Sequence, residues 1–249
     1  MWLTGKRALV TGGGRGIGAA IARALAGAGA TVTISGRTQG ELDAVAAAIG
    51  GRAVRADLSD RASTDRMCAE VGAVDILVNN AGAAESASLE KTTDEMWDRI
   101  LELDATAPFR VTRALAPAMV AAKWGRIVNI ASNAGVSGYG YTVAYCAAKH
   151  ALVGMTRALA IDLARTGVTI NAICPGWVET ALADEAVARI AAKTGRSTEE
   201  AHGTLAAMSP QRRMMTPEEV AHAALMLCAD GARGIHGQTL IIDGGAILK

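Results

Sequence analysis

Apolar positions along the chain follow two alternating rhythms. Short runs rich in β-branched residues read as strands: Lys6 to Thr11, Thr31 to Ser35, Arg52 to Ala56, Val74 to Val78, Gly125 to Ala131, Val168 to Cys174 and Gln238 to Asp243. Between them apolar residues recur at three- and four-residue spacing, the period of a helix face. Ile17, Ile21, Ala24, Leu25 and Ala28 form the first such set, and further helical stretches cover Glu41 to Ile49, Thr92 to Lys123 and Pro217 to Ala229. The last opens on Thr216-Pro217-Glu218-Glu219: an N-cap, a proline at the first helical position and acids in the first turn. Pro108 and Pro117 each remove a backbone donor and predict a kink or break in the long stretch. Seven strands alternating with helices predict an α/β fold: a single Rossmann-type, doubly wound domain with a seven-stranded parallel sheet flanked by helices.

One helical pattern carries polar residues where others carry leucine. Tyr145, Lys149, Leu152, Thr156, Leu159 and Leu163 share a face. A second face, Ala147, Ala151, Gly154 and Ala158, is small enough for another backbone to approach closely. Taken alone, this is either an ordinary amphipathic helix or one that offers a phenol and an amine for chemistry.

Composition narrows the class. A chain of 249 residues that is 51% hydrophobic and 20% charged suits one compact domain with a large core. Aromatics are only 3%, so that core must be built from Ala, Val, Leu and Ile. A formal net charge of +1 gives no electrostatic case for binding nucleic acid or a membrane surface. No apolar run reaches a membrane span, and the N-terminus lacks the basic-then-apolar order of a signal peptide, so a cytoplasmic protein is expected. Cys68, Cys146, Cys174 and Cys228 are scattered, which fits free thiols in a reducing compartment; no Cys/His metal cluster is seen and no metal is expected.

The first strand runs into Thr11-Gly-Gly-Gly-Arg-Gly-Ile-Gly18, and helix and strand follow. In such a βαβ unit the glycine turn lies at the carboxyl edge of the sheet, where Gly12, Gly14, Gly16 and Gly18 let the backbone approach a pyrophosphate. The helix that starts at Gly16-Ile17 offers free N–H groups and a positive dipole end to it. NAD-selective sites place an acid at the end of the second strand; here that strand ends Ser35-Gly36-Arg37. Arg37 and Arg15 together suit a 2′-phosphate, because guanidinium groups give forked, charge-assisted hydrogen bonds. The expected cofactor is therefore NADP(H). Asp57, followed by Leu58 at the third strand's end, either accepts from the adenine amino group or caps the next helix. Asn79, Ala81 and Gly82 end the fourth strand with amides and small residues that support a cofactor lying against the backbone.

Ser132 ends the fifth strand, thirteen residues before Tyr145. Hydride chemistry needs one group to move a proton at the carbonyl oxygen, and a phenol beside an ammonium is suited to it. Taken together, the glycine turn, Asp57, Asn79-Asn-Ala-Gly82, Ser132, Tyr145-x-x-x-Lys149, Pro175-Gly176 and Asp243-Gly-Gly245 closely resemble the short-chain dehydrogenase/reductase family over nearly the whole chain. The resemblance implies Tyr145 as general acid/base, Ser132 positioning the carbonyl, and Lys149 lowering the Tyr145 pKa and binding the nicotinamide ribose. Pro175, Gly176, Val178 and Thr180 would complete the cofactor site, and a homotetramer is implied. It divides residues 1–249 into a cofactor half (about 1–125) and a catalytic half (about 126–249) with a lid at about 181–215. One position departs: Asp104 stands where the family usually has a fourth catalytic residue, an Asn. Asp keeps the backbone carbonyl that a helix kink frees, but loses the amide donors.

Substrate contacts are expected from Asn133, Tyr139, Tyr141, Trp177 and the less regular segment Ala181–Met215, in which Thr198-Glu-Glu-Ala-His202 suggests a capped helix. The resemblance is greatest to reductases of 3-oxoacyl thioesters and polyketide ketones. Lid cations Arg189, Lys193, Arg196, Arg212 and Arg213 either meet a phosphate of coenzyme A or a carrier protein or are solvated surface charges. Tyr139, Tyr141 and Trp177 would equally line a pocket for an aromatic or cyclic ketone. A protein that senses NADP(H) without turnover is the remaining alternative.

Overall fold

The computed structural model describes residues 1–248. Its strands are β1 (Arg7–Thr11), β2 (Thr31–Gly36), β3 (Arg52–Arg55), β4 (Ile76–Asn79), β5 (Gly125–Ile130), β6 (Val168–Pro175) and β7 (Thr239–Ile242). They form one seven-stranded sheet in the order β3-β2-β1-β4-β5-β6-β7, with every neighbouring pair parallel. All seven predicted strands are present, with ends shifted by one or two residues. The chain steps outward from β1 to β3, then returns to place β4 beside β1. That reversal opens a crevice at the strands' carboxyl ends, between β1 and β4.

The helices are α1 (Gly16–Gly27), α2 (Gln39–Ile49), α3 (Arg61–Val71), α4 (Asp94–Leu101), α5 (Ala107–Ala121), α6 (Val143–Leu163), α7 (Ala181–Thr194), α8 (Thr198–Ala206) and α9 (Pro217–Cys228). Alternate strand residues face opposite layers. Val10, Ile34, Val78 and Val128 pack with α1, α2 and α9, whereas Leu9, Leu77, Ile127 and Ile170 pack with α3, α5 and the end of α6. The fully buried side chains are largely Leu, Ile and Val with two methionines, as the shortage of aromatics requires.

Two helical expectations are corrected. The stretch Thr92–Lys123 breaks once, at a π-helical turn over Glu102–Thr106, and Pro117 lies inside an uninterrupted α5. The widened turn precedes Pro108, which has no N–H to give to the carbonyl of Asp104 four residues back. Pro117 is exposed, so the carbonyl it leaves without a partner faces water. The lid segment is also more regular than predicted, forming α7 and α8. Its helical periodicity is thin in sequence because α7 buries only Ala183, Ala186 and Val187. Ser197, one residue ahead of the expected start, caps α8 in a reciprocal box with Glu200. Thr216 does the same for α9 with Glu219, as its sequence predicts.

On α6 the predicted face is turned inward: Lys149, Leu152, Thr156 and Leu163 are buried. Thr156 also ends a buried polar chain. Asn79 Nδ2 donates to Thr112 Oγ1 (3.0 Å) and to Asn129 Oδ1 (2.8 Å), and Asn129 Nδ2 donates to Thr156 Oγ1 (2.9 Å). The chain ties α5, β4, β5 and α6 into one register directly beneath the carboxyl edge. Asn79→Ala strands the buried Asn129 carbonyl and should cost about 1–3 kcal/mol. Urea unfolding checks this; an unchanged midpoint would show that the chain carries no stability.

Candidate active site

Two adjoining cavities open at the carboxyl edge. The smaller, about 300 Å3, is lined by the turn residues Gly12, Gly14, Arg15, Gly16, Ile17 and Gly18, by Arg37, Asp57, Leu58, Ala81 and Gly82, and by Thr180 at its end. Gly12 (φ 65°) and Gly16 (φ 52°) adopt left-handed backbone that a side chain would strain. A Cβ on Gly18 would lie 2.2 Å from the Gly12 carbonyl oxygen, so the turn closes only around glycine there. Arg15 occupies the N-cap position of α1 without capping it by its side chain. The first-turn N–H groups therefore remain available to an anion.

Asp57 does not cap α3; Asp60 does, accepting from the Ser63 N–H at 3.1 Å. Asp57 instead accepts from the backbone and hydroxyl of Ser59 (3.0 and 2.7 Å). The Ser59 hydroxyl, and to a smaller degree Arg37, hold its carboxyl below the ordinary range, against partial burial. Neither guanidinium, of Arg15 or of Arg37, makes an ion pair among the described residues. The groove thus matches a dinucleotide: a glycine turn and helix terminus for the pyrophosphate, two free cations where a ribose phosphate would lie, and an ionised acid beyond. Asn79 is not in its lining, because its amide is committed to the buried polar chain; the neighbouring Asn80 lines the groove and donates to the Thr11 and Gly12 carbonyls. Glu41, which the sequence pattern did not single out, packs under Gly14 at the rim.

The larger cavity, about 850 Å3, shares Ile17, Thr180 and Leu182 with the groove. Ser132, Asn133, Tyr139, Tyr141, Tyr145, Pro175, Gly176, Trp177 and Val178 all line it. Ser132 follows β5 in extended backbone, and its hydroxyl accepts from the Ala134 N–H at 3.1 Å. Tyr145 stands in the first turn of α6. The wall also includes Glu85 and Ser86 from the loop after β4, whose only sequence signal was its position at a strand's carboxyl end.

Lys149 lines neither cavity. It is buried behind Tyr145, with Nζ 5.6 Å from the Tyr145 ring centroid and donating to the Ile130 carbonyl at 3.2 Å. The π turn presses Asp104 against the same amine: Oδ2 is 3.5 Å from Nζ, and Oδ1 accepts from the Ala83 N–H at 2.9 Å. Gly82 makes room for this pair, since a Cβ there would lie 2.9 Å from Asp104 Oδ1 and 3.3 Å from Lys149 Nζ. Burial pushes Asp104 up against the opposing Lys149 charge. Burial would lower Lys149, but the Asp104 and Tyr145 charges carry it above its ordinary value. Burial raises the Tyr145 phenol; Lys149 and the Ser132 hydroxyl pull it down, while Asp104 pushes it further up.

A family profile described as enoyl-(acyl carrier protein) reductase matches residues 12–246. The chain belongs to the short-chain dehydrogenase/reductase family. It is 41% identical to D-beta-hydroxybutyrate dehydrogenase of Cupriavidus necator, over 99% of this chain and 100% of that one. It is 36% identical to the 3-oxoacyl-[acyl-carrier-protein] reductase FabG of Escherichia coli, over 97% of each. A crystal structure of a variant actinorhodin polyketide ketoreductase with NADPH superposes with a TM-score of 0.93 at 37% identity, covering 97% of each chain. The protein is an oxidoreductase of this family, and the predicted fold is the one its relative adopts.

The Asp104 carboxylate opposes ionisation of Tyr145, which gives a sign to one substitution. Asp104→Asn removes that charge, lowers the Tyr145 pKa, and should move the rise of kcat for alcohol oxidation to lower pH. An unchanged pH profile would show that the side chain does not act on the phenol.

Proposed function

We propose that the protein is an NADP(H)-dependent ketoreductase that reversibly reduces a 3-oxoacyl thioester or polyketide-like ketone to a secondary alcohol. The observation that carries this reading is the placement of the Ser132 and Tyr145 hydroxyls in a cavity that adjoins the dinucleotide groove. The names of the relatives, and the NADPH in the ketoreductase crystal structure, support it. When bound, the cofactor supplies the hydride. The glycine turn and α1 hold its pyrophosphate, and Arg15 and Arg37 hold a 2′-phosphate. Ser132 donates a hydrogen bond to the substrate carbonyl oxygen, and Tyr145 delivers the proton to that oxygen. Burial keeps the phenol protonated, in the form that can donate to a ketone oxygen. Lys149 orients the tyrosine and spreads the charge left on its oxygen, while Asp104 and the Ile130 carbonyl fix the amine in place.

Three rings, Tyr139, Tyr141 and Trp177, wall the cavity and favour a second reading within the same chemistry: reduction of an aromatic or cyclic ketone. NADPH oxidation with acetoacetyl-CoA, an acyclic aromatic ketone and a bicyclic ketone separates the two, and turnover of none would leave the cofactor sensor. The small face of α6 is largely free in the single chain, with Ala151, Gly154 and Ala158 exposed. This supports assembly with further copies, a homotetramer in our reading.

Tyr145→Phe should reduce kcat roughly 10²–10⁴-fold, the usual worth of a positioned proton donor. Exchanging both Arg15 and Arg37 for uncharged residues should raise KM for NADPH while leaving that for NADH nearly unchanged. Equal use of NADH and NADPH by the unaltered enzyme would overturn the assignment of the two arginines.

A further inference from the structure

The charged residues lining the large cavity are Glu85, Arg189 and Lys193. Glu85 is committed: Arg99 binds it through Nε and Nη2 at 2.8–3.0 Å. Arg189 and Lys193 are not. They stand one turn apart on the same face of α7, and neither makes a hydrogen bond or ion pair among the described residues. Glu185, four residues before Arg189, is exposed and does not reach it. Two like charges at this spacing repel each other. Arg189 is moreover half-buried, so it has given up part of its hydration without gaining a partner.

The other lid cations are employed or turned away. Arg196 donates to Thr204 at 3.2 Å, and Arg213 grips Glu219 with two bonds of 2.6 and 2.7 Å. Arg212 is exposed and lines neither cavity. Three of the five cations in the segment make no side-chain bond among the described residues, and of these only Arg189 and Lys193 line the cavity of Ser132 and Tyr145.

We propose that Arg189 and Lys193 are the anion-binding subsite of the substrate cavity, receiving a phosphate or carboxylate group carried by the ketone. This rests on the ketoreductase reading above. Their i, i+4 spacing lets both reach one oxyanion, the guanidinium by forked hydrogen bonds and the ammonium as a point charge. An anion between them would relieve their repulsion, so the subsite discriminates against neutral ketones of similar shape. The two sources of charge differ in reach. A cavity of about 850 Å3 is large for a four-carbon keto acid and leaves length for the tail of a phosphate-bearing thioester.

The test compares acetoacetyl-CoA, acetoacetate and uncharged ethyl acetoacetate as substrates for the wild type and the double variant Arg189→Gln/Lys193→Gln. The expected result is a fall, on the order of tenfold, in kcat/KM for an anionic substrate relative to the ester, the size of one charged hydrogen bond lost. A fall with acetoacetyl-CoA alone assigns the anion as phosphate, and one with acetoacetate alone as carboxylate. Arg189→Lys should retain most of the preference, since it keeps the charge. Ratios unchanged with both anions would overturn the subsite. If the wild type reduces none of the three, the ketoreductase reading has failed, and calorimetry decides the subsite separately. CoA should then bind the NADPH-saturated wild type about tenfold more tightly than the double variant, and equal binding would overturn it.

Discussion

The constraint on which the site depends is a charge taken out of water. Lys149 is buried behind the Tyr145 phenol, where an unpaired ammonium would be prohibitively costly. Its surroundings read as the answer to that cost. The Ile130 carbonyl is available because β5 ends there. Asp104 reaches the amine because α4 and α5 are joined by a widened turn instead of a straight helix. Gly82 is needed because any side chain would intrude on the pair. The phenol stands one helical turn ahead of an amine held by the Ile130 carbonyl and Asp104. The pair also bears on stability: breaking a buried pair leaves one partner charged and alone.

Direct contact between Asp104 and Lys149 changes the charge that Tyr145 faces. An amide at this position would leave the amine's charge free to act on the phenol alone. The carboxylate divides that influence, since the ammonium is now attracted from two sides. Tyr145 is thereby a weaker acid and a more persistent donor.

Much of this was legible in the sequence, for reasons that also show where legibility stops. The central strands β4, β5 and β6 are buried on both faces and were the most readable, the edge strands β3 and β7 stood out mainly by position between turns and helices, and parallel order places their special loops on one edge. Tyr145 and Lys149 announced themselves by interrupting a leucine face at helical spacing. The π turn was harder to read. Pro108 signalled a disturbance, but Pro117 gave the same signal with no consequence, because a proline's effect depends on which carbonyl it deprives. Asn79 and Asn80 were indistinguishable as neighbours; strand alternation sends one into the core and the other toward the groove. α7 was nearly silent, since a helix that buries three small residues leaves little periodicity. Whether a lid arginine was free or paired could not be read at all, because Glu219 and Thr204 are partners chosen by three-dimensional packing.

The lid is fastened in an unusual way for a segment that shapes a cavity. It leaves the sheet near Val178 and returns at Met215, and these two residues bridge each other directly. Met215 donates to the Trp177 carbonyl at 2.8 Å, and Glu179 donates to the Met215 carbonyl at 2.9 Å. Between those points the segment buries its own small cluster, including Ala183, Ala186, Ala201, Leu205 and Met214. Exit and entry thus coincide, and the entropic cost of closing a loop grows only weakly with its length. Such a segment can lengthen, shorten or be replaced in a lineage without disturbing strand register or the buried amine. Tyr145, Lys149 and Asp104 are held by the sheet and its helices, whereas part of the cavity wall is held by a segment joined to them at a single junction.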